Sequence, residues 1–409
     1  MSAYLEKLHS EVFEPVRNEV PDLIVGKERY LLISEVLDRL PERQAQAMRD
    51  YLTAVLEHME YTSASDVDLG GIGGQNHIWF RTYGAKKPWL DGPDLTPYEA
   101  DILCVANLTT EQLDILLAEK NLDFSFTVDL KNIGQRRFRA NMYFDLDHLA
   151  LNMRRINAEV RPFKSLNLHP EVAKALSLKF YKYGLTLVTG ITGSGKSSTL
   201  DTIVDANNRS VDGHIVIISS PIEMVHVPRR CLIRHREVGR DTLSFKQGAI
   251  EALRQDPDII VLGELRDAET ILTALEITDS GHKTFSTLHT ASATESIDRI
   301  IGEVPPDEQN RVRLRLADVL TCVISQKLVP TKDGKLTLAK EVLLNTSSVK
   351  AAIRNNNTGE IYQMLMEGGN MGMMTMEQDL KRLYDEGLIS LEEAYNQANN
   401  KKRLKDIIS

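Results

Sequence analysis

Cysteine is scarce in this sequence, which contains only Cys104, Cys231 and Cys322, widely spaced and without a CxxC pair. Such usage excludes a disulfide scaffold and is typical of reduced, buried thiols in a cytosolic protein. Long apolar runs are also missing, since no stretch approaches about 18 uncharged apolar residues, which a membrane-spanning helix needs. The first residues, MSAYLEKLHSEVFEPV, lack the basic start and apolar run of a signal peptide. We therefore expect a cytoplasmic protein whose contact with a membrane is peripheral.

A surplus of basic residues is absent as well, because the formal net charge is -9. Binding to the phosphates of a nucleic acid requires a basic surface, so we do not expect nucleic acid as a partner. The remaining composition, with 42% hydrophobic and 26% charged residues, is ordinary for a globular protein. A length of 409 residues predicts two or three domains, at roughly 150 residues each.

Helix and strand patterns divide the chain into four regions. Residues 1–60 carry helical periodicity and predict a helical N-terminal extension, whereas residues 61–155 mix strands with a helix and predict a small α+β domain. Residues 165–330 alternate short apolar strands with amphipathic helices, and residues 331–409 return to helical patterns with capping-box spacing. The predicted fold class is therefore α/β, with a parallel sheet in the third region covered by helices on both faces.

The segment GITGSGKSS follows a short apolar strand and precedes a helical pattern. This is the context of a phosphate-binding P loop, in which glycines let backbone N–H groups close around phosphate oxygens and a helix N-terminus adds positive potential. Lys196 would contact the β- and γ-phosphates, and Ser197 would hold Mg²⁺. The predicted nucleotide-binding residues are Gly190, Ile191, Thr192, Gly193, Ser194, Gly195, Lys196, Ser197 and Ser198.

A second apolar strand, in DIIVLGE, delivers a carboxylate at its carboxyl end. Glu264 would bind the water shell of Mg²⁺ or polarise the water that attacks the nucleotide. The P loop and this strand together predict ATP and Mg²⁺ as ligands and ATP hydrolysis as the activity.

Several longer segments resemble one protein family. TGITGSGKSSTL, REVGRDTLSF, ALRQDPDIIVLGELRDAETILTALEITDSGH and FSTLHTASATESIDRI closely resemble the type IV pilus twitching-motility ATPases, a branch of the type II/IV secretion traffic ATPases. The similarity covers roughly residues 60–400. It implies a PAS-like N-terminal domain, a RecA-like P-loop domain, and a homohexameric ring that binds ATP between the two domains.

The resemblance also implies further site residues. The histidine box of the family, near the γ-phosphate or the subunit boundary, falls on Gly281, His282, Thr287, His289 and Thr290. Basic residues must neutralise the transition state, because phosphoryl transfer depends mostly on positioning and charge compensation. The candidates by motif are Arg139 in RRFRAN, Arg155 in MRRIN and Arg236 in REVG.

One strand end departs from the family. There it usually ends in EDPIE, which includes the catalytic glutamate, whereas HIVIISSPIEMVH has Ser219 and Ser220 in the acidic positions and keeps Glu223. A serine hydroxyl can orient a water molecule but cannot take its proton near neutral pH. Three interpretations stay open: Glu264 carries the base role alone, Glu223 reaches the site from the loop, or the subunit hydrolyses ATP slowly.

A second departure concerns the direction of the motor. AAIRNNNTGE agrees with the retraction signature of the family only over residues 352–355, so extension and retraction both stay open. The predicted function is a cytoplasmic hexameric ATPase of a type IV pilus or related secretion system, in which interdomain closure around ATP rotates an inner-membrane platform protein. The alternative is a weakly active, nucleotide-binding auxiliary or scaffold subunit that works with an active paralogous ATPase.

Overall fold

The computed structural model describes residues 9, 12–21, 23–82, 84–131, 133–156 and 160–408. Backbone contacts divide the chain into two compact units, Met1–Ala158 and Glu159–Ser409. Each unit contains one sheet, and the predicted α/β class with a parallel sheet is confirmed. Among the described residues, no helix is both long and apolar enough to cross a membrane.

The N-terminal unit combines helices with a six-stranded antiparallel sheet. Its helices are α1 (residues 12–17), α2 (Gly26–Arg39), α3 (Glu42–Tyr61), α4 (Pro97–Ala106) and α5 (Thr110–Glu119). Its strands are β1 (Asp66–Gly70), β2 (Trp79–Thr82), β3 (Ala85–Pro88), β4 (Asn121–Leu130), β5 (Gly134–Asp145) and β6 (His148–Ile156). The strand order is β3-β2-β1-β6-β5-β4. Capping boxes at Thr96 and Thr109 begin α4 and α5, because each threonine side chain satisfies a free N–H of the first turn.

Helices α2 and α3 share one hydrophobic core with this sheet. Tyr30 of α2, Tyr51 of α3 and Phe138 of β5 belong to the same buried cluster. Asp101 of α4 is fully buried; it accepts the N–H of Leu149 at 2.7 Å and pairs with a guanidinium of α2. The boundary predicted at residue 60 therefore runs through a core, because the apolar faces of α2 and α3 are buried within this unit.

The C-terminal unit contains a seven-stranded sheet of order β13-β12-β7-β11-β10-β8-β9. Its strands are β7 (Gly184–Thr189), β8 (Gly213–Ser219), β9 (Cys231–Glu237), β10 (Ile259–Leu262), β11 (Lys283–Leu288), β12 (Leu320–Pro330) and β13 (Leu336–Leu344). All neighbouring strands are parallel except β12 and β13. The four predicted strands of this region are confirmed as β7, β8, β10 and β11.

Helices connect these strands and follow them. They are α6 (Pro170–Leu176), α7 (Lys196–Ser210), α8 (Phe245–Ala252), α9 (Ala268–Asp279), α10 (Ala293–Gly302), α11 (Gln309–Val319), α12 (Ser347–Arg354), α13 (Ile361–Glu367), α14 (Met376–Asp385), α15 (Leu391–Gln397) and α16 (Lys401–Ile408). The predicted caps are confirmed, since Thr375 begins α14 with a capping box and the Ser390 side chain accepts the N–H of Glu393.

The sequence predicted a helical region over residues 331–409, but the structure also has a strand there. Strand β13 forms a hairpin with β12 over nine residue pairs, and a tight turn with Gly334 at a φ of 78° connects them. Helices α14 to α16 pack on this hairpin, where Leu380 of α14 and Leu404 of α16 share a buried cluster with Val329 and Ala339. The sheet therefore extends past the predicted boundary at residue 330, because β13 completes its edge.

Parallel pairing brings four chain segments together at one edge of the sheet. Strands β7, β11, β10 and β8 are consecutive neighbours, so their carboxyl ends lie side by side. The segments that follow them are the P loop, the loop at His289, the Gly263–Glu264 corner and the Ser219–Ser220 corner. In open α/β sheets, ligands bind outside the carboxyl ends of the strands, so this edge is where a site is expected.

Candidate nucleotide site

The P loop joins the end of β7 to the start of α7 through backbone conformations that require glycine. Gly190 and Gly195 have φ angles of 151° and 85°. A Cβ atom on Gly190 would lie 2.4 Å from Oγ of Ser194 and 2.5 Å from the carbonyl oxygen of Gln326, so there is no room for a side chain. The predicted glycine spacing is therefore a direct consequence of how tightly the loop packs against β12.

The first turn of α7 presents polar groups to the loop. Within the described chain, no side chain caps this helix, and its N-cap residue is Gly195. The N–H groups of a helix start carry partial positive charge and favour a bound anion. Ser197 and Ser198 are exposed on this turn, so their hydroxyls are accessible to a ligand held by the loop.

Lys196 lies over the loop and is largely buried. Its Nζ donates hydrogen bonds to the carbonyl oxygens of Gly190, at 2.8 Å, and Ile191, at 3.1 Å. The same Nζ lies 3.5 Å from Nδ1 of His289, on the loop after β11. Burial lowers the pKa of Lys196, and the nearby carboxylate of Glu264 acts in the opposite direction. The ammonium group is thus held at the loop where phosphate oxygens would bind.

Glu264 projects from the corner after β10. Its Oε2 lies 3.7 Å from Nε2 of His289, and its Oε1 lies 2.5 Å from a guanidinium nitrogen of Arg266. The corner is fixed by Thr287, whose backbone oxygen accepts the N–H of Leu265 at 3.0 Å and whose hydroxyl donates to the carbonyl of Gly263 at 2.7 Å. The carboxylate is therefore held at the strand end rather than on a free loop.

His289 lies between the ammonium of Lys196 and the carboxylate of Glu264. Burial, followed by the charge of Lys196, lowers the pKa of His289, while Glu264 opposes this shift. The imidazole is therefore neutral at neutral pH, with one nitrogen able to donate a hydrogen bond and the other able to accept one. Lys196, Glu264 and His289 form the centre of the site.

The Ser219–Ser220 corner lies beside this centre. Strand β8 is paired with β10 up to Ile218 and Leu262, and the N–H of Gly263 donates to the carbonyl of Ile218 at 2.8 Å. A Cβ on Gly263 would lie 2.5 Å from Oγ of Ser219, so the serine packs against the residue before Glu264. The corner is thus next to the carboxylate of β10 but offers hydroxyls.

The loop after this corner is fastened by a buried carboxylate. Glu237, at the end of β9, is only 6% exposed and accepts the N–H of Ile222 at 2.9 Å. Glu223 is the next residue of the loop and is half-buried. The structure therefore fixes the backbone beside Glu223, and its role as a base stays a prediction.

Two of the predicted residues lie away from this centre within the C-terminal unit. His282 precedes β11 at the amino edge of the sheet, where its Nδ1 contacts the Ser280 hydroxyl at 3.0 Å, and the strand separates it from His289 by roughly 20 Å. Arg236 lies on the edge strand β9, where it pairs with Glu251 of α8 at 2.6 Å. The role of His282 near the γ-phosphate or the subunit boundary, and that of Arg236 in neutralising the transition state, stay predictions.

Arg139 and Arg155 belong to the N-terminal unit. Arg139 of β5 lies 3.9 Å from a carboxylate oxygen of Asp123, and Arg155 of β6 donates to Glu60 of α3 at 3.3 Å. Arg155 pairs in register with Phe138, the residue before Arg139, so the two arginines lie on paired strands but their side chains are on opposite faces of the sheet. Their contribution to a nucleotide stays a prediction.

One supporting residue was missed from the sequence. Gln326 of β12 donates from Nε2 to the carbonyl oxygen of Ser194 at 2.7 Å, and so supports the P loop from the neighbouring strand. Beside it, the Ser325 hydroxyl lies 2.7 Å from that of Thr189, the last residue of β7. Both side chains are fully or almost fully buried. The signal in the sequence was a run of polar residues, SQK, inside the otherwise apolar segment CVISQKLV.

A small cavity of about 50 Å³ lies on the other side of the helix start. Its lining includes Arg161, Ser165, Gly195, Ser198 and Thr202. Leu166, Leu328 and Leu338 complete the lining, so the cavity offers apolar as well as polar contacts to a ligand whose phosphates occupy the P loop.

The chain is similar to known proteins in both sequence and structure. A family model of type II/IV secretion system proteins matches residues 42–408. The type IV pilus retraction ATPase PilT of Pseudomonas aeruginosa is 41% identical over 276 residues, which are 68% of this chain and 78% of that protein. The type IV pilus ATPase PilU of the same species is 36% identical over 290 residues, 71% of this chain and 75% of that one.

A solved structure is also similar. The crystal structure of the pilus retraction motor PilT with bound ADP superposes with a TM-score of 0.77 at 36% identity, over 87% of this chain and 98% of that chain. The coverage includes both units of the present chain, so the similarity is not confined to the P-loop sheet.

Proposed function

We propose that this chain, which belongs to the family of type II/IV secretion system proteins and is a P-loop ATPase, is the motor of a type IV pilus or a related secretion system. It acts as a homohexamer that binds and hydrolyses ATP. The single observation that carries this proposal is the convergence of Lys196, Glu264 and His289 beside a P loop with the required glycines.

The P loop binds the phosphates of the nucleotide. Backbone N–H groups at the start of α7 surround the phosphate oxygens, and the Lys196 ammonium exchanges its contacts with loop carbonyls for the β- and γ-phosphates. The small cavity beside Gly195 and Ser198 accommodates polar groups of the ribose side. In this proposal the γ-phosphate binds next to His289, and the 3.5 Å distance between its Nδ1 and the Lys196 Nζ supports that position.

The chain also fits Mg²⁺. An exposed hydroxyl at the helix start, on Ser197, and a carboxylate at the end of β10, on Glu264, are oxygen ligands that this ion prefers. Ser197 and Glu264 would hold the ion, whose charge would neutralise the β- and γ-phosphate oxygens. Glu264 keeps its second oxygen toward His289, so the same carboxylate orients the attacking water.

Hydrolysis is slow compared with a site that has an acidic corner on both strands. Ser219 and Ser220 can orient water beside Glu264 but cannot accept its proton. Much of the barrier to phosphoryl transfer is lowered by positioning and charge, which Lys196 and Glu264 still supply. The chemistry is therefore weakened rather than lost.

The assembly completes the site. In a ring, Arg139, Arg155 and Arg236 are the candidates for neutralising the charge of the transition state, and His282 acts near the γ-phosphate or the subunit boundary. Closure of the two units around ATP then moves an inner-membrane platform protein, and the ring works in the cytoplasm while its partners hold it at the membrane.

An auxiliary role is the second candidate. The Ser219–Ser220 corner favours it, because a subunit with weak hydrolysis can still bind nucleotide and assemble with an active paralogue. The chain is 36% identical to PilU, a second pilus ATPase in the organism that also has PilT.

The proposal is tested by phosphate release from ATP with the purified full-length protein, in Mg²⁺ and in excess EDTA, together with light scattering. We expect turnover that requires Mg²⁺ and particles six times the mass of the 46.0 kDa chain in the presence of nucleotide. Activity that appears only after a paralogue is added would favour the auxiliary role. A monomer that neither binds nor hydrolyses ATP would contradict both.

A further inference from the structure

The loop that carries His289 is held by residues outside the nucleotide site. This loop, residues 289–292, connects the end of β11 to α10. Its far end is bound by Glu341 of β13, which is 2% exposed and accepts the N–H of Ala293 at 2.7 Å. The backbone N–H of Met376 lies near enough to lower the pKa of the same carboxylate. Because Ala293 is the first residue of α10 and Met376 the first of α14, one buried carboxylate binds the start of α10 and lies beside the start of α14.

Ordinary helix capping does not account for Glu341. Helix α10 already has an N-cap, since the Ser292 side chain accepts the N–H of Glu295 at 3.2 Å. Burial raises the pKa of Glu341 to about 7, with the charge of Glu377 adding to the effect, so this carboxylate is costly to keep ionised. In return, the Glu341 carboxylate fixes the position of the 289–292 loop relative to β13 and α14.

The middle of the loop is bound from the turn between α15 and α16. Asn399 donates from Nδ2 to the carbonyl oxygen of Ala291 at 3.1 Å, and its Oδ1 accepts the Lys327 ammonium at 2.7 Å. Lys327 also donates to the carbonyl of Gln397 at 2.6 Å. A donor on one side and an acceptor on the other allow only one orientation of the Asn399 amide. The turn is therefore aimed at Ala291, two residues after His289.

The turn and α14 form one unit. Glu377 of α14 is fully buried and accepts the N–H of Asn400 at 2.7 Å and the hydroxyl of Tyr362 at 3.1 Å. The C-terminal helices are therefore connected to the 289–292 loop at Ala291 through Asn399, and β13, on which α14 packs, holds Ala293 through Glu341. Any shift of these helices would move the imidazole beside the Lys196 ammonium.

We propose that Asn399 and Glu341 are positioning residues for His289, and that the C-terminal helices α14 to α16 thereby set the rate of the nucleotide site in their own subunit. This inference rests on the proposed function, because it assigns His289 to the γ-phosphate. It assigns to the C-terminal helices a role in the chemistry as well as in the stability of the β12–β13 edge.

The test replaces Asn399 by Asp, which keeps the acceptor for Lys327 and removes the donor to Ala291. Asn396→Asp, the same chemical change at an exposed site on α15, is the matched control. We expect Asn399→Asp to lower kcat about tenfold, as loss of one hydrogen bond allows, with KM for ATP and affinity for ADP within twofold of the unaltered protein. Asn396→Asp should leave all three quantities unchanged.

A double-mutant cycle separates positioning from general destabilisation. In a His289→Ala background, Asn399→Asp should have no further effect on kcat, since the group that it positions is gone. Glu341→Gln, which keeps the shape of the side chain but replaces the charged acceptor of the Ala293 N–H by a neutral amide, should behave in the same way. Unaltered kcat in Asn399→Asp, or losses that multiply in the double variant, would overturn the inference while leaving the proposed function intact.

A binding measurement tests the inference even if the subunit hydrolyses ATP too slowly for kcat to be measured. The ratio of affinities for ADP with aluminium fluoride, which mimics the γ-phosphoryl group in the transition state, and for ADP alone should fall about tenfold in Asn399→Asp, because only the mimic presents transition-state charge to His289. An unchanged ratio would contradict the inference. Failure of the unaltered protein to bind either ligand would instead overturn the proposed function, and this inference with it.

Discussion

The ends of β10 and β8 lie side by side in one sheet, yet they offer different chemistry. β10 ends in Gly263 and Glu264, with a carboxylate 3.7 Å from His289. β8 ends in Ser219 and Ser220, which offer hydroxyls beside it. Both corners are supported by backbone hydrogen bonds to neighbouring strands. The two corners therefore differ only in their side chains. This difference distinguishes two tasks of the site, binding of the nucleotide and removal of a proton during hydrolysis.

The comparison explains how a P loop can stay intact while catalysis changes. The conformation of the P-loop glycines, the start of α7 and the position of Lys196 all depend on β7 and β12. Neither of these strands is a neighbour of β8 in the sheet. A substitution at the end of β8 can therefore alter turnover without disturbing nucleotide binding. Changes at the end of β10 should alter both, because Glu264 influences Lys196 and His289.

The largest expected effect is at the β10 end. Glu264→Gln should lower kcat by about 10² to 10⁴-fold, because the amide keeps the shape but cannot act as a base or hold a cation with a full charge. The measurement is steady-state phosphate release at saturating MgATP. Glu223→Gln is the matched control and should lower kcat less than tenfold; the reverse order would assign the base to the loop after β8.

An intermediate effect is expected at the β8 end. Ser219→Glu should raise kcat by about tenfold, because a second carboxylate beside Gly263 can take the proton that Ser219 cannot. Ser219→Gln, of similar size but without charge, should not raise it. Turnover that is unchanged or lower in Ser219→Glu would show that the missing carboxylate does not limit the reaction.

The smallest effect is expected at the opposite edge of the same sheet, where β11 begins. Lys283 is fully buried, its Nζ donates to the carbonyl of Ala175 at 2.7 Å, and burial lowers its pKa to about 8. Between about pH 8 and pH 10.5 the unfolded chain binds a proton that the folded chain does not, so stability should rise with pH across this window.

Lys283→Met removes this cost. At pH 7 the free energy of unfolding should rise by about 1 kcal/mol after the lost hydrogen bond is offset, and the advantage should shrink as the pH approaches 10. Urea unfolding at several pH values measures it, with unchanged kcat as the companion result. Lys283→Arg should destabilise, since a guanidinium cannot lose its proton. An advantage that grows with pH would contradict the assignment.

Sequence patterns predicted the strands whose ends form the site. β7, β8, β10 and β11 are short apolar runs followed by distinctive residues, because buried parallel strands exclude polar side chains. β9 and β12 were not predicted, since Arg234 and His235 in the first and Gln326 and Lys327 in the second interrupt the apolar pattern. β13 was assigned to a helical region although it completes the sheet.

The centre of the site was predicted better than its supports. Lys196 and Glu264 follow strand ends, where the local sequence pattern predicts their position, whereas His289 was predicted only from the family resemblance. Gln326 and Glu341 act across the sheet on segments more than 40 residues away, and strand order is not visible in local patterns. For the same reason, a motif that spans both ends of β11 placed His282 and His289 in one functional group, although the strand separates them.

The central claim is that the P loop holds a nucleotide through Lys196. Calorimetric titration of the full-length protein with MgATP tests it most directly, with Lys196→Ala titrated in parallel. We predict a saturable heat of binding for the unaltered protein and none for Lys196→Ala, because the ammonium is the charge next to the phosphate site. Equal binding by the two proteins, or no binding by either, would contradict it.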